Sequence, residues 1–295
     1  MPDVIPQRFE DLTPAYLTGV LRAAGALDAG SVVACRVEPL GAGVGFTGAL
    51  ARLHLAYAPD GAAGPETVVA KLPGPIRRNR ALVELGQGHE REVRFYREIA
   101  ASDCGIAVPR VFAAECDPDP DESARDVRRQ RVERLPAWLL RCVVPFALWR
   151  AGRSKRRYLL LLEDLGPQRA HDPLRGVDLD AARPAASALA GLHARFWNDP
   201  ALDAAHWLPR PDWTPQSGHA CYRSSRRRFA RELGAALPAQ FALATDWVDA
   251  HLEAVLARLT APPRTLLHGD FRLDNLLDAG DRIVAVDWQS VGVGR

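Results

Sequence analysis

Leu266 to Asn275 reads LLHGDFRLDN, and Arg282 to Gln289 reads RIVAVDWQ. An apolar pair leads into His268, Gly269 and Asp270. Asn275 stands five residues after Asp270, and a second acid, Asp287, closes a strand-like segment. Two carboxylates and a carboxamide in so short a span suit one chemistry. Asp270 can accept a proton from a hydroxyl or hold a nucleophile in line, while Asn275 and Asp287 offer the hard oxygen ligands that Mg2+ takes. Moving a phosphoryl group calls for that set, because its catalysis is mostly positioning and neutralisation of phosphate charge. Any one of these residues has a plainer reading as a turn or cap, but that reading would have to hold three times at this spacing. Asp274 and Asp278 are read as turn and surface residues, and His268 as a ring that orients the loop.

Working back toward the N-terminus, two further features fit the same chemistry. Gly43, Gly45 and Gly48 spell GxGxxG, with Gly41 before them. The pattern alone also fits a dinucleotide fold or a plain hairpin. The segment after it, ALARLHLAY, alternates with period two, so the arrangement is strand, turn, strand, as in a loop that covers nucleotide phosphates, and not the strand, turn, helix of a dinucleotide site. Next comes TVVAKLPG. Of 38 basic residues only Lys71 and Lys155 are lysines. A lysine kept inside an apolar strand of an arginine-rich chain suggests a compact charge that must reach phosphate oxygens, against the plainer reading of a strand-end residue snorkelling to water. Glu92 is its best partner. It shares a helical face with Phe95, Tyr96 and Ile99, whereas Glu90 and Glu98 lie off that stripe. An inward acid usually needs a cation, although a neighbouring Arg would serve as well.

The rest of the chain orders itself around these segments. Thr13 and Pro14 open a helix whose stripe is Leu17, Val20, Leu21 and Ala24, with Gly25 to end it. SVVACRVEPL, ALARLHLAY and TVVAKL read as an antiparallel sheet, GHEREVRFYREIAA as a helix, and VPRVFAAEC and YLLLLEDLG as strands. Beyond them the chain is mainly helical. Residues 117–157 form an insertion: an acidic, turn-rich start, then a basic stretch with an apolar centre. Pro136 and Pro145 argue against one straight helix there. A local packing extension is the plainest reading of it; a lid, a dimer contact or a membrane-surface segment at 135–150 are the others. The cluster Arg223, Arg226, Arg227, Arg228 and Arg231 reads as a solvated helix face in preference to an anion site, and His193 as a core histidine.

Composition narrows the classes. The chain has 295 residues, 47% hydrophobic and 25% charged, room for one large domain or two lobes. A formal charge of +2 does not favour a nucleic-acid binder. The five cysteines show no metal-ligand spacing and read as reduced thiols of a cytoplasmic protein. No signal peptide is expected from MPDVIPQRFEDL, and no apolar run reaches the roughly 18 residues of a transmembrane helix.

Taken together, HGDFRLDN, IVAVDWQ, VVAKL, EVRFYRE, LLLLEDLG and LAGLHARFW resemble the aminoglycoside phosphotransferase and choline kinase group, with EVRFYRE and LEDL leaning toward its ecdysteroid-kinase-like subfamily. The resemblance implies an α+β, bilobal protein-kinase-like fold. Residues 1–162 would be a small antiparallel-sheet N-lobe carrying the 117–157 insertion, and residues 163–295 a larger, mainly helical C-lobe. It implies that Asp270 is the catalytic aspartate and that Asn275 and Asp287 hold Mg2+. Lys71, fixed by Glu92, would meet the α- and β-phosphates of ATP, under a loop from Gly43 to Gly48. Backbone groups of Glu163, Asp164 and Leu165 would meet the adenine edge, which leaves GTP as the other donor. The implied partner is a small-molecule hydroxyl substrate. Members of the group usually continue past the metal strand, so a chain ending at Arg295 is expected to be truncated. A nucleotide-binding pseudoenzyme or scaffold is the alternative from another class. A protein kinase ranks last, since no activation segment follows Asp287.

Overall fold

The computed structural model describes residues 4–40, 48–59, 61, 64–119, 122–166, 176–211 and 215–295. Gly43 and Gly45 lie outside the described residues; Gly48 lies inside them. The chain packs as two compact units, each made from separate stretches: 1–118, 148–195 and 268–291 in one, 119–147, 196–267 and 292–295 in the other.

In the first unit, helix α1 (Pro14–Ala23) starts as the sequence indicates. Thr13 accepts a hydrogen bond from the Tyr16 N–H at 3.2 Å, and Pro14 takes the first helical position. Strands β1 (Val32–Leu40), β2 (Gly48–Tyr57), β3 (Thr67–Pro73), β4 (Val111–Cys116) and β5 (Tyr158–Glu163) form one antiparallel sheet in the order β1-β2-β3-β5-β4. Period-two alternation sorts its two faces. Leu53 opposes Val68, Ala51 opposes Ala70, and Ala70 opposes Leu161. These residues share a buried core with Leu17, Val20 and Leu21 of α1. Lys71, one residue out of phase, opposes Leu50 and Leu160 and so belongs to the other face.

That face meets α3 (Gly88–Arg94), whose last turn, Phe95–Ile99, widens to π geometry, with the Ala100 N–H reaching the Phe95 carbonyl at 2.9 Å. Helix α2 (Arg77–Leu85) precedes it and carries no side-chain cap at Ile76. The absence of a cap explains why the sequence does not announce it. Helix α4 (Glu122–Glu133) and helix α5 (Ala137–Ala151) fill the insertion, and α4 with most of α5 belongs to the second unit. The chain breaks at Pro136, as expected of a proline, but Pro145 stays inside α5. Helix α6 (Leu179–Arg195) and the hairpin of β7 (Leu276–Asp278) with β8 (Ile283–Ala285) complete the first unit.

The second unit is held mainly by α8 (Pro215–Leu233) and α9 (Ala239–Thr260), with the short α7 (Ala201–Ala204) and strands β6 (Thr265–Leu267) and β9 (Gly292–Gly294). Glu133 caps α8, accepting from the Gln216 N–H at 2.7 Å and the Ser217 N–H at 3.2 Å, where an anion complements the helix N-terminus. Arg223 meets Asp249 at 2.7 Å, Arg226 meets Asp246, and Arg228 meets Glu232 at 2.8 Å. Arg223 and Arg226 tie α8 to α9 and Arg228 pairs along α8 itself, which accords with a solvated helix face. The expectation of an α+β chain with an antiparallel sheet toward the N-terminus and a mainly helical remainder holds.

Leu161 is fully buried at the centre of the sheet. Leu161→Ala is expected to cost about 2–5 kcal/mol by transfer and cavity terms, read as a lowered urea midpoint with the slope unchanged.

Candidate active site

Strand β3 and helix α3 bring Lys71 and Glu92 together. Nζ of Lys71 donates to Oε1 and Oε2 of Glu92 at 2.8 and 2.7 Å. Glu92 is 2% exposed and Lys71 is 9% exposed, so this is a buried charge pair. A third partner is one that sequence reasoning did not foresee: Nζ also donates to Oδ1 of Asp287 at 2.8 Å. Burial pushes the Glu92 carboxyl above its ordinary range, against the pull of Lys71. Burial works on Asp287 in the same sense, but the Lys71 ammonium outweighs it and holds that carboxyl below its ordinary value. For Lys71, burial opposes the charge, and the two carboxylates more than restore it.

Gly48, the last glycine of GxGxxG, lies against this lysine. A Cβ there would stand 3.2 Å from Cε of Lys71 and 3.3 Å from the Leu72 carbonyl oxygen. The bare glycine gives the lysine stem its path across the sheet.

A hairpin ties the opening motif to the same place. Leu276 opposes Ala285 across β7 and β8, and the Val286 N–H donates to the Asn275 carbonyl at 3.0 Å. Asn275 and Asp287 therefore leave the same end of one hairpin. Asp287 itself takes a left-handed conformation, φ 64°, in a chain position where a branched residue would be strained. The Asn275 amide donates to the Asp270 carbonyl at 2.9 Å and to its Oδ2 at 3.1 Å, and Arg272 Nε donates to the same Oδ2 at 3.2 Å. The Asp270 side chain is 41% exposed, so this carboxylate is held from behind and open in front.

His268 has the structural role read from the sequence. It is 1% exposed. Its Nε2 lies 3.0 Å from the Val286 carbonyl, and its Nδ1 accepts from the Asp270 N–H at 3.3 Å. Those partners require a neutral ring protonated on Nε2, and burial lowers its pKa accordingly. Gly269 stands at φ 80°, and a Cβ there would collide with the Ser290 carbonyl oxygen. Trp288, fully buried, stacks on Phe95 with ring centroids 3.8 Å apart and lies 4.4 Å from the His268 ring. Its indole N–H reaches the Ala285 carbonyl at 3.1 Å. A continuous set of rings thus joins α3, the Asp287 turn and the loop of Asp270.

The hinge residues divide. The Glu163 N–H is spent on the Arg110 carbonyl at 2.8 Å. The Asp164 side chain is clamped by Arg52 and accepts from the Gly166 N–H at 3.0 Å. The Asp164 side chain is thus taken up within the fold. Leu165 follows directly, outside the strand. Glu90, read as off the buried stripe, is itself buried and meets Arg156 at 2.9 Å. Sequence periodicity had no signal for that pairing, since its partner lies in the segment before β5. A cleft of about 830 Å3 between α1, the turn 95–99 and β4 contains none of the candidate residues.

Among the described residues no three His, Cys, Asp or Glu side chains gather as a metal cage. The donor set suits Mg2+ on other grounds. Mg2+ takes one or two protein oxygens and completes its shell with water and phosphate. Asn275 donates through its amide nitrogen to Asp270, so its carbonyl oxygen is the atom that could ligate, and Asp287 meets Lys71 through only one of its two oxygens.

Two outcomes are expected. Gly269→Ala strains the left-handed turn and costs at least about 1–3 kcal/mol, read as a lowered melting temperature. His89, 5% exposed in α3, has its pKa lowered from 6.5 to about 3, first by burial and then by Lys71 and Arg80. Between those values the unfolded chain binds a proton that the folded chain does not, so stability falls as pH drops through that window. In His89→Gln that part of the acid sensitivity disappears, which urea midpoints measured from neutral pH down to about 4 will record.

A family model described as the phosphotransferase enzyme family matches residues 76–295. Comparison with curated proteins finds no match. Among solved structures, a thermostable mutant of aminoglycoside phosphotransferase APH(4)-Ia with ADP and hygromycin B is 10% identical at TM-score 0.39, covering 96% of this chain and 73% of that one. ADP-bound APH(2'')-Ib is 14% identical at TM-score 0.42, covering 88% and 67%. The amicoumacin kinase hAmiN, in complex with AMP-PNP, Ca2+ and Ami, is 14% identical at TM-score 0.42, covering 93% and 64%. Likeness at that level fixes no substrate. The family match spans most of the chain and includes the loop of Asp270 and the turn of Asp287: the chain, α+β in fold, belongs to the phosphotransferase enzyme family.

Proposed function

We propose that this chain is a small-molecule kinase that moves the γ-phosphate of ATP to a hydroxyl group. The observation that carries the reading is the junction of Lys71 with both Glu92 and Asp287, joined through one hairpin to Asn275 and Asp270. In this reading Asp270 is the catalytic residue. Its carboxylate orients the acceptor hydroxyl and takes its proton as the oxygen attacks. Asn275 and Arg272 hold that carboxylate by its Oδ2. Lys71, fixed from behind by Glu92, would meet the nucleotide phosphates. Asn275 and Asp287 are the residues that would hold Mg2+, whose charge, when bound, offsets that of the phosphates. The residues from Gly43 to Gly48 are proposed as the cover of the triphosphate, and the backbone from Glu163 to Leu165 as the adenine contact. Recognition by backbone leaves GTP as the competing donor. The division at residues 162 and 163 is kept as the functional one, between a nucleotide-binding and an acceptor-binding part. The wording EVRFYRE and LEDL supports placement near the ecdysteroid-kinase-like members. All five cysteines are free thiols, in keeping with a reducing, cytoplasmic setting.

The test is a thermal-shift titration with Mg·ATP and Mg·GTP, followed by a screen of hydroxyl acceptors for ADP release. The wild type is expected to gain stability with Mg·ATP, by about 2.7 kcal/mol at a hundredfold excess over Kd, and Asp287→Asn to lose that gain. Asp270→Ala should keep the nucleotide shift and lose transfer by about 10²–10⁴-fold. Transfer that survives in Asp270→Ala at the wild-type rate would remove the assignment. Nucleotide binding with no transfer to any hydroxyl would favour the scaffold alternative.

A further inference from the structure

The cleft of about 830 Å3 between α1, the turn Phe95–Ile99 and β4 lies wholly within the first unit and takes no part in the site of Lys71. Its floor is the edge of a strand. β4 is the last strand of its sheet, and among the described residues it pairs with β5 alone. Its outer edge therefore keeps backbone N–H and C=O groups that no strand meets. That edge is recessed: Ala113 and Ala114 line the cleft and are each only 9% exposed.

The two walls differ in chemistry. On the α1 side, Val20, Ala23 and Ala24 present an apolar surface. The charged groups there are already engaged. Arg110 donates through Nη2 to the Ala24 and Gly25 carbonyls at 3.0 and 3.2 Å, and Glu115 accepts from the Tyr16 hydroxyl at 3.3 Å. On the other side Ala100 and Ala101 leave room beside Arg97, which is exposed. Among the described residues no hydrogen bond or ion pair engages the Arg97 guanidinium.

An unpaired edge between two walls is the form that receives an extended peptide, whose main chain extends the sheet while its alternate side chains meet the walls. Alanines on both sides let a backbone approach closely. Successive side chains of a strand point to opposite faces. An occupant alternating apolar and acidic residues would lay one set on Val20 and Ala23 and turn the other toward Arg97. An acid on the α1 side would instead face the Glu115 carboxylate. A second copy pairing through its own β4 is disfavoured, because each recessed edge brings its own α1 and its own turn, and these would collide before the edges met. We propose that the β4 edge binds, as a sixth strand, an extended segment of a partner protein that alternates apolar and acidic residues. The inference does not depend on phosphate transfer.

The probe is a fluorescein-labelled six-residue peptide of alternating Val and Glu, blocked at both ends and read by anisotropy with the full chain. Binding is expected to weaken at least about tenfold when Lys replaces Glu in the peptide, and as much in Arg97→Glu. The Lys peptide should recover binding on Arg97→Glu. Ala101→Trp fills the cleft and should abolish binding. Both altered residues are exposed, so both variants should melt like the wild type. N-methylation of one alternate set of peptide nitrogens, the set facing β4, should abolish binding, and N-methylation of the other set should leave it intact. A folded wild type that binds no peptide up to about 1 mM overturns the proposal. So does equal binding of the Glu and Lys peptides, undiminished binding to Ala101→Trp, or equal tolerance of the two N-methylated sets.

Discussion

The Lys71 ammonium sits between two carboxylates in a nearly dry place, and the first unit is arranged around keeping it there. Strand β3 delivers the lysine, α3 delivers Glu92, and the turn after β8 delivers Asp287. Removing Lys71 would leave two buried carboxylates uncompensated, which is far more costly than an absent pair. With one cation and two anions, the cluster is short of positive charge. A bare phosphate would meet that surplus as repulsion. A metal-bound nucleotide would bring the missing charge with it.

The ring stack explains how that charge cluster is held in register. Phe95 belongs to the same helix as Glu92, and Trp288 follows Asp287 directly, so stacking the two rings places the two acids. His268 meets Trp288 on one side and fixes the backbone of Asp270 on the other. Packing thus decides the position of three ionisable groups, at spacings where charge alone would pull them into whatever geometry was nearest.

Much of this was legible in the sequence. Period-two alternation marks the strands, and a lone lysine beside an inward-facing acid marks their pairing. The Asp-to-Asn spacing marks the loop. What escaped had no local signal. The contact between Lys71 and Asp287 joins residues 216 apart, and no periodicity encodes a distance of that kind. Glu90 sits off the apolar stripe, yet Arg156 makes its burial tolerable. Helix α2 has no capping side chain, so nothing in the sequence marks its start. Asp164 reads as a hinge residue, while its side chain serves mainly to bind Arg52 across the sheet. Each case is a tertiary partner overruling or supplementing a local preference.

The three separate stretches that make the first unit have a consequence for synthesis. Residues 268–291 belong to it, but the ribosome releases them after residues 196–267 of the other unit. Until they emerge, Phe95 has no ring to stack on, and Lys71 and Glu92 pair without their third partner. Contacts of long sequence separation form slowly, and incomplete lobes expose apolar surface in the meantime. The pair of Lys71 and Glu92 would stay without its third partner until that segment is made. A chaperone that shelters an open α/β face would have its longest task at that interval.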